Sequence, residues 1–353
     1  MSNTLIIPCA GKSSRFPDMR PKWMLTHPDG QLMVEKAISG FDLSIFDRII
    51  ITIVKQHDID YEAALVLGQL FGHNSKFELC ILDDHTSSQS ETVLLTLEKM
   101  KVNGSFVVKD SDNYVKVIFD QNYKNFVVGL DLKENPDIQN VAGKSFIIAN
   151  EQDIMINIIE KTIKSDLICV GVYGFESPEM FKKVYMEMIN NDLKELFLSH
   201  LISYMINNNT LYKYIKATSY RDWGTFQEWL TERSKHRCYL VDIDGVLMKN
   251  CGKFGSFNWD VNDITLDENL KVIKKAQDEG GQIILISSRP DKYIKKAIVY
   301  FEKFGIQVHG FVGNCNHGQR VLINDFSNTN PYPTAKCINM KRNGQLDQFF
   351  KGE

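Results

Sequence analysis

Short apolar, β-rich runs alternate with segments of helical spacing along most of the chain, and this alternation restricts the fold more than any other feature. Thr4–Pro8, Arg48–Val54, Phe77–Leu82 and Phe106–Lys109 read as short buried strands, with helical spacing at Leu32–Phe41, Ile59–Phe71 and Glu91–Met100 between them. Such a pattern implies parallel strands covered by helices on both faces. From Phe126 onward the reading is more continuously β, with strands at Phe126–Leu132, Ser145–Ala149, Ile154–Glu160 and Ile168–Phe175. Helical patterns at Pro178–Ile189 and Lys194–Asn207 and a strand at Leu211–Ala217 follow. The expected class is therefore α/β, with a mixed, mostly parallel sheet and flanking helices.

A second alternating series begins after the charged connector Thr231–Arg237. Cys238–Ile243, Gln282–Ile286 and Val321–Ile323 read as strands, and Leu266–Glu279 and Pro290–Phe304 as helices. At 353 residues the chain exceeds what one core usually supports. Two domains are expected, 1–233 and a smaller α/β unit at 234–353. A net charge of −3 excludes a general nucleic-acid binder, which carries a basic excess. No stretch approaches the length and apolarity of a membrane span, and the start, MSNTLIIPCAGKSS, does not read as a signal peptide. The seven cysteines are scattered singly with no C-x-x-C pair, which points to thiols in a reducing cytoplasm rather than disulfides or a zinc site.

The first strand runs into a loop of small residues, Cys9-Ala-Gly-Lys-Ser-Ser-Arg15, followed by Pro21-Lys22. Backbone N–H groups in such a loop approach an anion closely. Arg15 and Lys22 would add forked and compact positive charge for a triphosphate. By spacing alone, a turn with solvated cations explains the segment equally well. Further along, Ser88-Gln-Ser-Glu-Thr-Val93 opens a helix, where its serines serve as an N-cap or as ligand contacts. Phe106-Val-Val-Lys-Asp-Ser-Asp-Asn113 puts acidic residues at the carboxyl end of a strand, where ligands of open α/β sheets bind.

Taken in order, these segments resemble the sugar-phosphate nucleotidylyltransferase family. Leu5–Phe16 with Pro21-Lys22 is similar to that family's A-G-x-G-[ST]-R signature followed by P-K, with Ser13 standing where a glycine is usual. The resemblance implies a nucleotidyltransferase-type fold (GT-A, Rossmann-like) in which Ala10, Gly11, Ser13 and Ser14 wrap the NTP phosphates. It places Gln89 and Glu160 among the nucleotide- and acceptor-side contacts, and Arg15, Lys22 and Lys161 as the cations that offset transition-state charge. Asp112 takes the metal position, with Asp110 beside it, and Asp222 of Asp222-Trp-Gly-Thr225 supplies the second carboxylate for Mg²⁺. Those roles suit phosphoryl-type transfer, which asks mainly for positioning and charge neutralisation, and Mg²⁺ prefers oxygen ligands. Tyr173, Phe175 and Trp223 line the acceptor pocket or are ordinary core.

Tyr239-Leu-Val-Asp-Ile-Asp-Gly-Val246 places two aspartates at the end of an apolar strand. With Ile283–Arg289 and Val321–Asp325 it resembles the haloacid dehalogenase-like phosphatases. That likeness implies Asp242 as nucleophile and Asp244 as general acid/base. It also makes Ser287 the phosphoryl-holding hydroxyl, and Asp242, Asp244 and Asp325 the Mg²⁺ ligands. The family's lysine before the final acidic pair is missing, with His317 or Arg320 as substitutes, and Asn324-Asp325 replaces two acids. The expected whole is a bifunctional enzyme of surface-glycan precursor synthesis. One half removes a phosphate; the other couples an NTP, CTP favoured, to a sugar, polyol or phosphocholine-like phosphate with release of pyrophosphate. Two alternatives stand beside it: a transferase with an inactive binding or oligomerisation domain, and a regulator that binds nucleotide without turnover. Homo-oligomerisation is left open.

Overall fold

The structure is a computed structural model that describes residues 3–350 except 17, 120, 121, 123, 139, 190–194, 254, 261–263 and 326–333. The chain divides into two compact units, Met1–Glu228 and Trp229–Glu353, within the helix Phe226–Lys235 and close to the expected boundary at 233.

In the first unit the strands are β1 Asn3–Pro8, β2 Arg48–Val54, β3 Phe77–Leu82, β4 Ser105–Lys109, β5 Asn113–Lys116, β6 Phe126–Asp131, β7 Ser145–Ala149, β8 Met155–Glu160, β9 Leu167–Phe175, β10 Lys213–Lys216 and β11 Ser219–Asp222. Among the described residues, nine of them form one sheet whose main path runs β10-β6-β9-β4-β1-β2-β3. β1 pairs in parallel with β2 and β4, and β2 with β3, whereas β9 lies antiparallel to β4, β6 and β7. The sheet is mixed and mostly parallel at its amino-terminal side, as the alternation of strands and helices requires.

Successive side chains of a strand point to opposite faces, and both faces here are buried. Leu5, Ile7, Ile49, Ile51 and Ile53 pack on one side, and Ile6, Ile50, Phe106 and Val108 on the other. This two-sided burial is why the strands read as continuous apolar runs. The helical stretch expected at Ile59–Phe71 is two helices, Lys55–Tyr61 and Ala63–Phe71, broken at Glu62, whose φ of 51° is left-handed. The helix expected from Lys194 starts at Leu198, and 194 itself lies outside the described residues.

The small strands β5 and β11 form a separate antiparallel ribbon in the register Asn113↔Asp222. Neither has an apolar run, so the sequence gives no sign of them as strands. Gly40 lets the end of helix Met33–Ile38 close on this ribbon, because a Cβ there would collide with the Val115 carbonyl.

The second unit has a parallel sheet of β12 Cys238–Asp242, β13 Gln282–Ile286 and β14 Gly310–Val312, in that order. Helices Asp267–Asp278 and Asp291–Lys303 contribute Leu270, Ile273, Ile294, Ala297 and Phe301 to a core with Val241, Ile283 and Leu285. The strand expected at Val321–Ile323 does not form. Its three side chains are 74%, 60% and 89% exposed, so no burial favours a ladder there, and the third strand is instead Gly310–Val312. No described helix is long and apolar enough to cross a membrane.

Candidate active site

The loop after β1 is tied down at both ends. The Cys9 amide donates to the Thr52 carbonyl at 2.7 Å, and Phe16 is buried edge-to-face on Phe226. Ser13, where the resemblance leads one to expect glycine, takes the left-handed φ of 50° that glycine adopts without strain. Its hydroxyl accepts a 3.1 Å hydrogen bond from the Lys22 amide, which fixes the loop to the segment that carries the lysine. Gly11, Ser14 and Arg15 are exposed, while Ala10 is buried beneath them and its carbonyl lies 3.1 Å from His85 Nδ1. Trp23 and Met24 are buried and hold the single turn Lys22–Met24 against the core.

Asp112 sits in the turn between β4 and β5, and Asp222 ends β11. The ribbon pairs their neighbours, and the Trp223 amide donates to the Asp112 carbonyl at 2.9 Å. Lys22 is ion-paired to Asp112, with Arg15 Nη2 at 3.8 Å from the same carboxylate. Lys144 is ion-paired to Asp222, and its ammonium also donates to the Tyr220 hydroxyl at 2.9 Å. Burial opposes ionisation of Asp112, but Lys22, with Arg15 and Lys144, outweighs it and holds that carboxyl well below the usual range. Burial likewise works against the charge of Lys144, and Asp222, with Glu228 and Asp112, more than offsets it.

Beneath this pair lies Lys109. It is fully buried and donates to the Asp110 carbonyl at 2.6 Å, the Asn113 carbonyl at 2.8 Å and Asn113 Oδ1 at 2.5 Å, so it stitches the turn that presents Asp112. Burial pulls its pKa down to about 8 against the pull of Asp110, Asp112 and Asp222. Asp110 is raised by burial and by Asp112, and accepts from Gln89 Nε2 at 2.5 Å.

The residues present fit a hard divalent cation. The position a Cβ would take at Gly224 lies 3.1 Å from Asp222 Oδ1, 3.4 Å from Asp112 Oδ2 and 3.7 Å from Arg15 Nη1. Two carboxylates thus face one gap that glycine leaves open, and an all-oxygen donor set is the kind Mg²⁺ takes.

Other expected site residues fall elsewhere. Ser88 is the N-cap of the helix Gln89–Lys99, accepting from the Glu91 amide at 3.2 Å, the simpler of its two readings. Glu160 accepts from Ser145 and Ser199 hydroxyls, both at 2.5 Å. The Lys161 ammonium lies 3.9 Å over the Phe197 ring and 3.7 Å from Glu160. Tyr173, Phe175 and Trp223 are buried, the first two within the core. Lys144 and Lys109 were not legible as site residues: Lys144 meets Asp222 from 78 residues away, with no local pattern. A lysine ending the buried run Phe106–Val108 was the one available hint for Lys109.

In the second unit Asp242 ends β12 and Gly245, at φ 83°, turns the chain behind it. Arg289 is buried and grips Asp244 with both arms, Nε to Oδ2 at 2.9 Å and Nη2 to Oδ1 at 2.8 Å, while Asn258 donates to Asp244 Oδ1 at 3.0 Å. Ser287 is buried and its hydroxyl accepts from the Arg289 amide at 3.2 Å. Of the two substitutes for the missing lysine, Arg320 reaches Asp242 at 3.1 Å, and His317 is exposed. Burial raises the pKa of Asp242, and Arg320 opposes the rise. Among the described residues no trio of His, Cys, Asp or Glu ligand atoms within 4.8 Å of one another includes Asp242, Asp244 or Asp325.

Solved structures share a fold with this chain over about two thirds of its length. A nucleoside-diphosphate-sugar pyrophosphorylase from Vibrio cholerae superimposes with a TM-score of 0.56 at 23% identity, over 65% of this chain and 98% of its own. An inositol-1-phosphate CTP transferase from T. maritima gives 0.52 at 13%, over 66% and 95%. A UDP-glucose pyrophosphorylase complexed with UDP-glucose gives 0.51 at 16%, over 66% and 97%. The fold is that of nucleotidyltransferases. No sequence profile of a known family matches the chain, and no curated protein matches it. The covered share corresponds to that of the first unit.

Proposed function

We propose that the first unit transfers a nucleotidyl group from an NTP to a small phosphorylated acceptor and releases pyrophosphate. The observation that carries this reading is the convergence of Asp112 and Asp222 on the gap at Gly224, ringed by Lys22, Lys144 and Arg15. An oxygen of the acceptor's phosphate attacks the α-phosphorus as the bond to the bridging oxygen of the β-phosphate breaks, and pyrophosphate departs with that electron pair. The nucleophile arrives ionised, so no side chain has to remove a proton. The loop Ala10–Ser14 binds the triphosphate, Arg15 and Lys22 neutralise it, and the Glu160–Lys161 pair faces the acceptor side. Asp112 and Asp222 would hold Mg²⁺, which when bound would supply further charge neutralisation to the phosphates. CTP and a sugar, polyol or amino-alcohol phosphate are the favoured substrates. The choice of CTP rests on the resemblance of Ser88–Val93 to cytidylyltransferases, since the fold serves a CTP transferase and UDP-glucose pyrophosphorylases alike. We place the reaction in the cytoplasm, in surface-glycan precursor synthesis.

The test is pyrophosphate release with Mg²⁺ and CTP, UTP, GTP, ATP or dTTP against pools of phosphorylated acceptors. Release with one NTP, abolished in Asp112→Ala, supports the transferase; bound NTP with no release in any pool supports the regulator. For the second unit, a haloacid dehalogenase-like phosphatase with Asp242 as nucleophile and Asp244 as acid/base competes with an inactive binding module. The double grip of Arg289 on Asp244 favours the module, since both oxygens of the acid/base candidate already accept from donors. Phosphate release that survives in Asp242→Ala, or is absent from the wild type, selects the module.

A further inference from the structure

We propose that Lys144 is a cation that binds the acceptor's phosphate, and that Asp222 holds it ready until a divalent cation takes that carboxylate. The inference rests on the transferase reading and deepens it. Lys144 precedes β7 and is fixed through its backbone: its amide donates to Val141 and its carbonyl accepts from Lys161, each at 3.0 Å. The side chain is 18% exposed, with the Tyr220 hydroxyl and Asp222 as its contacts.

Asp222 divides its two oxygens. Oδ1 accepts from the Gly224 amide at 3.0 Å and faces the gap shared with Asp112, whereas Oδ2 holds Lys144. Asp112 differs, since its Oδ2 both faces the gap and holds Lys22. Each carboxylate of the gap therefore carries one lysine. A dication shared by the two carboxylates draws on the same negative charge that holds the ammonium groups, so the two kinds of cation compete. Lys22 and Arg15 belong to the loop side of the gap, which the triphosphate occupies. Lys144 comes from the opposite bank, the hairpin that also carries Glu160 through its bond to Ser145. Bringing a phosphate monoester against a triphosphate requires a cation on that bank. Lys161 ends the same hairpin with its ammonium over Phe197, and Lys144 is the lysine of that hairpin that a carboxylate of the gap holds.

Mn²⁺ binding, read from the loss of the free-ion EPR signal, tests the competition with the metal alone. Lys144→Gln, which keeps a donor toward Asp222, is expected to bind Mn²⁺ roughly tenfold more tightly than wild type, with the surface variant Lys182→Gln unchanged. Inorganic phosphate, titrated into the Mn²⁺-loaded proteins as a probe of the acceptor site, is expected to bind wild type and Lys182→Gln and not Lys144→Gln. Lys144→Arg, which keeps the charge, checks that a loss is not one of folding and is expected to retain phosphate binding. Unchanged or weaker Mn²⁺ binding in Lys144→Gln, or phosphate binding retained in that variant, overturns the assignment while pyrophosphate release by wild type still upholds the transferase. Failure of wild type to bind Mn²⁺ at all removes the metal site and this inference with it.

Discussion

Substituting Gly224 by alanine separates the metal site from the fold that carries it. The new methyl would stand 3.1 Å from Asp222 Oδ1 and 3.4 Å from Asp112 Oδ2, closer than ordinary van der Waals contact on the first and at its inner edge on the second. Mg²⁺ binds its oxygen ligands at about 2.0–2.1 Å and tolerates little distortion. A methyl wedged against both ligand oxygens therefore displaces the ligands from that geometry. The φ of Gly224 is not in the left-handed region, so alanine brings no backbone strain, and the Gly224 amide bond to Asp222 is kept. Loss of chain freedom in the unfolded state would stabilise the protein by about 0.5–1 kcal/mol, offsetting the crowding. The expected result is Mn²⁺ or Mg²⁺ affinity down by about a hundredfold, the scale on which one well-placed electrostatic group matters to a transfer reaction. Pyrophosphate release should fall in parallel, with the denaturation midpoint within about 1 kcal/mol of wild type. Titration calorimetry for the metal and urea denaturation for the fold give the two readings. Wild-type metal affinity in Gly224→Ala would refute the placement of the cation between Asp112 and Asp222.

Three further outcomes follow from particular contacts. Ser13→Ala keeps the left-handed φ and loses the bond to the Lys22 amide, costing about 1 kcal/mol, whereas Ser13→Gly loses the bond but relieves the strain and should be nearly neutral; equal denaturation midpoints for the two variants would contradict this. His57 is buried, and burial, with His85 nearby, lowers its pKa from 6.5 to about 4. Between those values the unfolded chain binds a proton that the folded chain does not, so stability present above pH 6.5 is lost as pH falls toward 4, by roughly 3 kcal/mol at 1.36 kcal/mol per unit. The slope should flatten in His57→Asn, and an unaltered slope would rule His57 out as its source. Arg289→Ala strands Asp244 without its bidentate partner and should destabilise the second unit by about 3–5 kcal/mol; a change below about 1 kcal/mol would show that the pair carries little.

Strands buried on both faces were the most readable part of the chain. Arg48–Val54, buried on both sides, has the bounds its apolar run suggests because such burial admits few polar residues, and the partly buried Phe77–Leu82, Ser145–Ala149 and Gln282–Ile286 have theirs as well. Apolar character without burial misled at Val321–Ile323, where the third strand formed instead at Gly310–Val312. Glu62 broke a helix with neither glycine nor proline to announce it. At the site, the motif order pointed to Lys22, Asp112 and Asp222, and these do meet. What the motifs could not convey was the polar ribbon Asn113–Lys116 with Ser219–Asp222, or the lysines that its pairing brings in. Lys144 and Lys109 acquire their place only from contacts distant in sequence or from the turn they stitch.

The ribbon has a consequence for how the unit is assembled. Its two strands flank β6 to β10 in the chain, so every break made in the intervening sequence leaves Asp112 on one piece and Asp222 on the other. Neither fragment can hold a divalent cation as the intact unit would, and a ribosome must deliver the chain past Asp222 before the pair exists. A split at such a point, for instance in the exposed turn Glu151–Asp153 between β7 and β8, would turn metal affinity into a direct report of fragment reassembly.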